Sequence, residues 1–421
     1  MVDLGQDWKR EHNSLSIVLT LRGRPLHTLR YLWNANEHEL PFHILIADGG
    51  AESSLQALLR DARSFPNIRF SYFHFPNENS LPAYFAKMAQ IAGQITTPFA
   101  MLTDNDDFLM PSALARSAAF LAEHPEYVSH CGGVGGFEID DPEAADDTPL
   151  HGPITRLVGR YGRPYMPYDL GQETALGRLT AGYGTYTSLW YNVFRSDVLR
   201  GILENIRRID FKTLEPAHED FFTLQALLAG KHYAPPTSVA YFRQMGSSLR
   251  LAKPAPPSDP AAVLEDLKAL LARMAELMAQ QNAANIDRCF AVIRASLEER
   301  ANWHLAKQQA RWANWNRKHG PDRNAPGKGS TVHDRQEGAG GARSEPGASP
   351  AGGQGQAFRQ QASAEWARML QVFSAAGATA DETADLDRDF RLMEDTLTGP
   401  DFIEFVRARA PELLISRSPG L

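Results

Sequence analysis

Apolar residues along the first quarter of the chain fall in short blocks, and the blocks alternate between two periods. Residues 15–21 (LSIVLTL) are branched and apolar on both faces, as a buried strand requires. Arg22-Gly23-Arg24-Pro25 breaks the run, after which Leu26, Leu29, Leu32 and Trp33 recur at helical spacing as far as Asn36. Residues 42–47 predict a second strand that stops at Asp48-Gly49-Gly50, and Ser53 or Ser54 then caps a helix through Leu55, Leu58 and Leu59. Residues 68–73 predict a third strand. Asn79 and Pro82 open a helix bearing Leu81, Phe85, Met88 and Ile91. A fourth strand covers 99–102, and Pro111 opens a helix with Leu114, Ala118 and Leu121 on one face. Four strand–helix repeats predict an α/β fold, a mostly parallel sheet with helices on both faces.

The pattern loosens further on. Residues 127–139 predict a strand with a Gly-rich interior, Cys131-Gly132-Gly133-Val134-Gly135-Gly136. No helix follows at the spacing a dinucleotide fingerprint needs, so the glycines imply close backbone packing or a bulge. Residues 140–152 are acidic and Pro-containing, a surface loop. Residues 156–187 are rich in Gly, Tyr and Arg with little periodicity, and so long a loop suits a segment lining a site. Strand character returns at 186–194. Ser196 caps a helix with Val198, Leu199 and Ile202, and Pro216-Ala217-His218-Glu219-Asp220 leads into an apolar helix closed by Gly230. Residues 233–242 predict a loop and then a strand. Beyond Pro254-Ala255-Pro256-Pro257 the composition changes: 258–318 carries Leu264, Leu267, Leu270, Leu271 and Met274 at helical spacing, with Trp303, Trp312 and Trp315 later. Residues 319–356 predict a flexible Gly/Pro/Ser-rich linker, and 357–415 a further helical segment. The expected domain is thus 14–250, followed by a helical C-terminal region.

Composition narrows the class. The 421 residues, 43% of them hydrophobic, support a sizeable core. A formal charge of −7 with dispersed Lys and Arg argues against nucleic acid as a partner. Two distant cysteines, Cys131 and Cys289, make neither a disulfide framework nor a zinc knuckle. The first 13 residues are polar and charged, unlike a signal peptide, and no apolar run reaches the roughly 20 residues of a transmembrane segment. The expectation is a cytoplasmic protein, with peripheral association at the inner face of the membrane left open.

The candidate chemistry sits where the fourth strand ends, in Asp104-Asn105-Asp106-Asp107. In extended backbone Asp104 and Asp106 lean to one side and Asp107 to the other. Paired carboxylates repel unless a cation lies between them, and hard oxygen ligands favour Mn²⁺ or Mg²⁺, ions that also hold substrate phosphates. An acidic turn capping the next helix is the alternative. In open α/β sheets ligands bind at the carboxyl ends of strands, where Asp48, the acidic cluster and the Arg22–Pro25 loop all fall. Glu219 and Asp220 would be favoured in a first helical turn by the helix dipole alone.

Taken in order, the 15–21 strand with its Pro-bearing loop, Ala47-Asp48-Gly49-Gly50, Asp104-Asn105-Asp106-Asp107 and His218-Glu219-Asp220 resemble the inverting family 2 glycosyltransferases. The resemblance covers roughly residues 14–250 and implies the GT-A, Rossmann-like form of the α/β fold. It implies that Thr20, Arg22 and Asp48 hold the nucleoside of a nucleotide-diphosphate sugar. Asp104 and Asp106 would bind Mn²⁺ or Mg²⁺ on its diphosphate, Asp104 also contacting the donor. Asp220 would be the general base with Glu219 beside it; His218 is a second candidate for base or ligand, and His232 reads as structural. Residues 243–248 resemble the stretch that closes over the donor in such enzymes.

The second strand lacks the two acids before Gly-Ser usual in the family. The Gln-x-x-Arg-Trp motif of processive synthases is missing too, which favours single addition to a glycan, lipid-linked or protein acceptor. A sugar nucleotidyltransferase is the related alternative, although Arg22–Pro25 holds one glycine where a pyrophosphate loop needs several. A non-catalytic nucleotide-sugar or cation-binding module is the other. The acidic cluster does not have EF-hand spacing.

Overall fold

The structure, a computed structural model, describes residues 14–50, 54–141, 149–159, 167–183, 189–213, 217–245, 259–280, 285–319 and 351–415. The elements in order are β1 (Leu15–Leu21), α1 (Pro25–Glu37), β2 (His43–Asp48), α2 (Ser54–Arg60), β3 (Arg69–His74), α3 (Leu81–Ala92), β4 (Phe99–Asp104), β5 (Asp107–Leu109), α4 (Pro111–Glu123), β6 (Tyr127–His130) and β7 (Gly133–Ile139). Then come β8 (Ile154–Gly159), β9 (Tyr168–Leu170), α5 (Ala175–Tyr183), β10 (Val193–Arg195), α6 (Ser196–Ile206), α7 (Ala217–Ala229), β11 (Lys231–Ala234) and β12 (Val239–Gln244). Helices α8 (Pro260–Gln280), α9 (Ile286–His319), α10 (Ala351–Ala375), α11 (Ala380–Thr398), α12 (Pro400–Arg409) and α13 (Pro411–Ile415) complete the chain.

The strands form two sheets. The larger runs β3-β2-β1-β4-β10-β6-β11-β9, with β1, β2, β3 and β4 mutually parallel and β10 the antiparallel insertion beside β4. Period-two alternation sends Val18, Leu45, Ala100 and Leu102 to one face, with α3, α6, α7, α8 and α9. Ile17, Leu19, Ile44, Ile46 and Met101 go to the other, with α1, α2, α4 and α12. Both faces being covered, β1 is buried along its whole length, which is why its sequence is apolar without alternation.

The smaller sheet runs β5-β12-β7-β8 and packs on α10 and α11 through Phe108, Phe137, Phe242, Trp366 and Phe390. It corrects two expectations. Residues 127–139 form two strands in different sheets, because the chain leaves the large sheet at Cys131 and enters the small one at Gly133. The glycines serve close packing there: a Cβ on Gly135 would fall 2.2 Å from the Phe242 ring. The stretch read as a loop over 156–187 contains β8, β9 and α5.

Four further expectations concern segments at or beyond the limits of the described residues. Of the stretch expected to be a linker, residues 320–350 lie outside the described residues and residues 351–356 begin α10. Ser53, the side chains of Trp303, Trp312 and Trp315, and the donor-closing stretch past Met245 also lie outside them. Among the described residues, no helix is long and apolar enough to cross a membrane.

Candidate active site

The parallel strands deliver the site residues to one edge. Leu21 pairs with Asp48 and Thr20 with Asp104, so the two acids flank the end of β1, one strand to either side. At ordinary strand spacing that is about 10 Å.

On the β2 side a cleft of about 570 Å³ is lined by Arg22, Gly23, Asp48, Gly49, Glu78 and Asn79, a size that suits a small ligand. Arg22 is exposed at its mouth. The Asp48 carboxylate is fixed: Oδ1 accepts from the Gly50 N–H at 2.7 Å and Oδ2 from the Tyr72 hydroxyl at 2.9 Å. Below lies a buried ion pair that sequence reading missed, Lys87 and Glu78 at 2.5 Å. Lys87 Nζ also donates to the Leu21 carbonyl at 3.1 Å, and burial lowers its pKa against the opposing pull of Glu78. Position 49 must be glycine in this arrangement, since a Cβ there would lie 1.8 Å from Glu78 Oε2.

On the β4 side the chain turns at Asn105 and Asp106 before starting β5, so strand alternation does not apply and Asp107 comes back toward its neighbours. Oxygens of Asp104, Asp106 and Asp107 lie within 4.8 Å of one another, which corrects the expectation that Asp107 faces away. Asp106 Oδ2 accepts from Arg24 Nη1 at 2.8 Å. Arg24, with φ +54°, holds the left-handed region just ahead of α1. Asn105 ties that loop to the acidic turn, its Nδ2 donating to Thr28 Oγ1 at 2.9 Å and to the Arg24 carbonyl at 3.3 Å. Asp104 accepts from the Tyr191 hydroxyl at 2.5 Å and from Thr20 Oγ1 at 3.4 Å. Arg243 lies 3.9 Å from Asp104. Arg24 and Tyr191 were not singled out from sequence: an arginine in a loop and a tyrosine next to a short strand carry no periodic signal.

Asp107 decides what the cluster can hold. It is 1% exposed, and among the described residues no hydrogen bond of ordinary geometry reaches either carboxylate oxygen, the Asp104 backbone bearing on it only weakly. Burial first, and then the Asp106 charge, push its carboxyl well above the ordinary range. Burial and the same neighbour also raise Asp104. Three close carboxylates, one buried with unbonded oxygens, form an all-oxygen donor set that fits a hard divalent cation such as Mn²⁺ or Mg²⁺.

The remaining expected residues lie on the first turn of α7. Glu219 is partly exposed, whereas Asp220 is fully buried. Burial first, and then the Asp104, Glu78 and Glu219 charges, raise the pKa of the Tyr84 hydroxyl. The His218 ring packs among Phe85, Trp190 and Phe211, at 5.5, 5.5 and 6.4 Å, and takes no part in the acidic cluster. His232 is buried between Ser129 and the Ala226 carbonyl.

No protein-family model matches the chain, and no curated protein matches it. Among solved structures the chain is similar to S. aureus TarS at 14% identity and a TM-score of 0.41, over 74% of this chain and 44% of that one. It thus spans less than half of that TarS chain. It is similar to TarS 1-349 in complex with UDP-GlcNAc at 13% identity and a TM-score of 0.43, over 94% of this chain and 92% of that one. A third is the mannosyltransferase PcManGT from Pyrobaculum calidifontis in complex with GDP-Man and Mn²⁺, at 13% identity and a TM-score of 0.40, over 86% and 85%.

Proposed function

We propose that this chain is an inverting glycosyltransferase that uses a divalent cation to move a sugar from a nucleotide-diphosphate donor to an acceptor hydroxyl. The observation that carries this reading is the convergence of the Asp48 cleft and the acidic cluster on one sheet edge, with the buried, unbonded Asp107 carboxylate calling for a cation.

In this reading Arg22 and Asp48 hold the nucleoside, with Thr20 at the junction. Asp104 and Asp106, joined by Asp107, hold Mn²⁺ or Mg²⁺. When bound, the ion neutralises charge developing on the leaving diphosphate. Asp220, with Glu219 beside it, accepts the acceptor's hydroxyl proton. That oxygen then bonds the anomeric carbon from the face opposite the breaking bond to the diphosphate. The absence of a processive-synthase motif supports single addition, in glycan or glycoconjugate synthesis.

The test is calorimetric titration with UDP- and GDP-sugars in Mn²⁺ and in EDTA, alongside release of nucleotide diphosphate from the donor. The wild type is expected to bind one nucleotide class only with Mn²⁺, and Asp104→Ala/Asp106→Ala to lose that binding. Asp220→Asn is expected to keep donor binding and to lose turnover by about 10²-fold or more. A folded protein that binds no nucleotide under either condition would sink the assignment. The complete burial of Asp220 favours, as a second reading, a module that holds a nucleotide sugar without transfer. Donor binding by a wild type that never releases nucleotide diphosphate would select it.

A further inference from the structure

Residues 189–192 form a turn that leads straight into β10, the Asn192 N–H donating to the Leu189 carbonyl at 3.1 Å. The turn is anchored on both sides. Asn192 Nδ2 donates to Ser129 Oγ on β6 at 2.8 Å and to the Tyr168 hydroxyl on β9 at 2.6 Å. Beyond it, Phe194 and Arg195 pair with Ala100 and Phe99 on β4, the strand that ends in Asp104.

The two residues at the tip of this turn go to different places. The Tyr191 hydroxyl donates to Asp104 Oδ2 at 2.5 Å, a closer tie than the 3.4 Å bond from Thr20 to Oδ1. Its ring is held at 5.3 Å from Tyr241 on β12. Trp190 is buried, edge-on to the His218 ring at 5.5 Å and 4.9 Å from the Phe222 ring. His218 and Phe222 stand one helical turn apart on α7, with Asp220 between them in sequence. Consecutive Cα atoms lie about 3.8 Å apart. One anchored peptide step therefore joins the acidic cluster to the start of the helix that carries Asp220.

We propose that Trp190 and Tyr191 are a positioning pair: Tyr191 aims Asp104 at the cation, and Trp190 seats the first turn of α7, so that cation and base keep a fixed spacing. This rests on the glycosyltransferase reading above. A hydrogen bond to one oxygen of a ligating carboxylate orients the other, and losing such a bond typically weakens metal binding 10–100-fold. Displacement of a catalytic group costs rate rather than binding.

The test uses the full chain, with Mn²⁺ affinity read by calorimetry and turnover by release of UDP or GDP from UDP- or GDP-sugars. Tyr191→Phe keeps the ring and should weaken Mn²⁺ about tenfold or more, and should change the electron paramagnetic resonance spectrum of the bound ion. Trp190→Leu should keep Mn²⁺ affinity and donor KM and lower kcat about tenfold or more. Trp190→Phe, which restores an aromatic edge against His218 and Phe222, should recover most of that loss. A folded Tyr191→Phe protein with wild-type Mn²⁺ affinity and spectrum overturns the proposal. So does a Trp190→Leu protein with wild-type kcat, or one whose kcat loss Trp190→Phe shares in full. In either case a wild type that turns over leaves the glycosyltransferase reading standing. A folded wild type that binds no nucleotide, or never releases it from the donor, overturns that reading and the proposal with it. Should Trp190→Leu not fold, Tyr191→Phe and Trp190→Phe decide, wild-type values in both overturning the proposal.

Discussion

A carboxylate with both oxygens buried and unbonded, as at Asp107, works against the fold that holds it. Its pKa in the folded state lies well above the unfolded value of about 3.9. Such a group adds stability below the unfolded pKa and loses it as pH rises through the folded one, so at neutral pH an ionised Asp107 destabilises the protein. A bound dication removes that cost, since it binds the folded state alone. Asp107→Asn should therefore raise stability in EDTA. It should also abolish most of the increase in melting temperature that Mn²⁺ gives the wild type. Thermal melts with EDTA and with Mn²⁺ check both. A variant that melts lower in EDTA and still responds fully to Mn²⁺ would make Asp107 a structural residue.

At the scale of elements, β1 to β4 and their helices were legible because buried parallel strands and amphipathic helices have distinct periods. The β4 turn was half legible. Asp104 and Asp106 declared themselves, but Asp107 was placed wrongly because a turn resets the alternation on which the placement depended. The small sheet was not legible, since β12 joins β5 and β7 across more than a hundred residues and local pattern says nothing of such pairing. Neither was the Glu78–Lys87 pair, whose burial depends on a glycine 29 residues earlier.

His232, expected to be structural, is buried in the strand pair β6–β11, and with His130 it brings a pH dependence. Burial holds His130 and His232 neutral, each lowered to about 3. Unfolded histidine titrates near 6.5, so their contribution is whole above that pH and is lost progressively as pH falls toward 3. The melting temperature should fall between pH 6.5 and 4, and His232→Gln should fall less over the same range relative to its own value at pH 7.5. A variant with the same acid slope as the wild type would show that other groups dominate.

On the scale of the whole molecule, the helices from residue 351 onward are part of the same structure as the site. Trp366 is fully buried, stacks on Phe390 at 4.4 Å and meets the Phe242 ring at 5.8 Å, while its Nε1 donates to Asp387. Phe242 precedes Arg243, and Phe108, in the same apolar cluster, follows Asp107. The Asp389 carboxylate accepts from the Ser112 N–H in the first turn of α4, and the Leu397 carbonyl accepts from the Gly152 N–H. The strands carrying two of the site's charges are thus packed from behind by α10 and α11. Trp366→Ala should cost about 3–5 kcal/mol. The loss should appear as one cooperative transition at lower temperature, and should weaken Mn²⁺ binding although Trp366 touches no carboxylate of the cluster. Melts followed by tryptophan fluorescence and by circular dichroism, with Mn²⁺ titrations on the folded variant, separate this from a tethered helical unit. Such a unit would melt in a transition of its own and leave Mn²⁺ affinity unchanged, because none of its packing would reach β5 and β12.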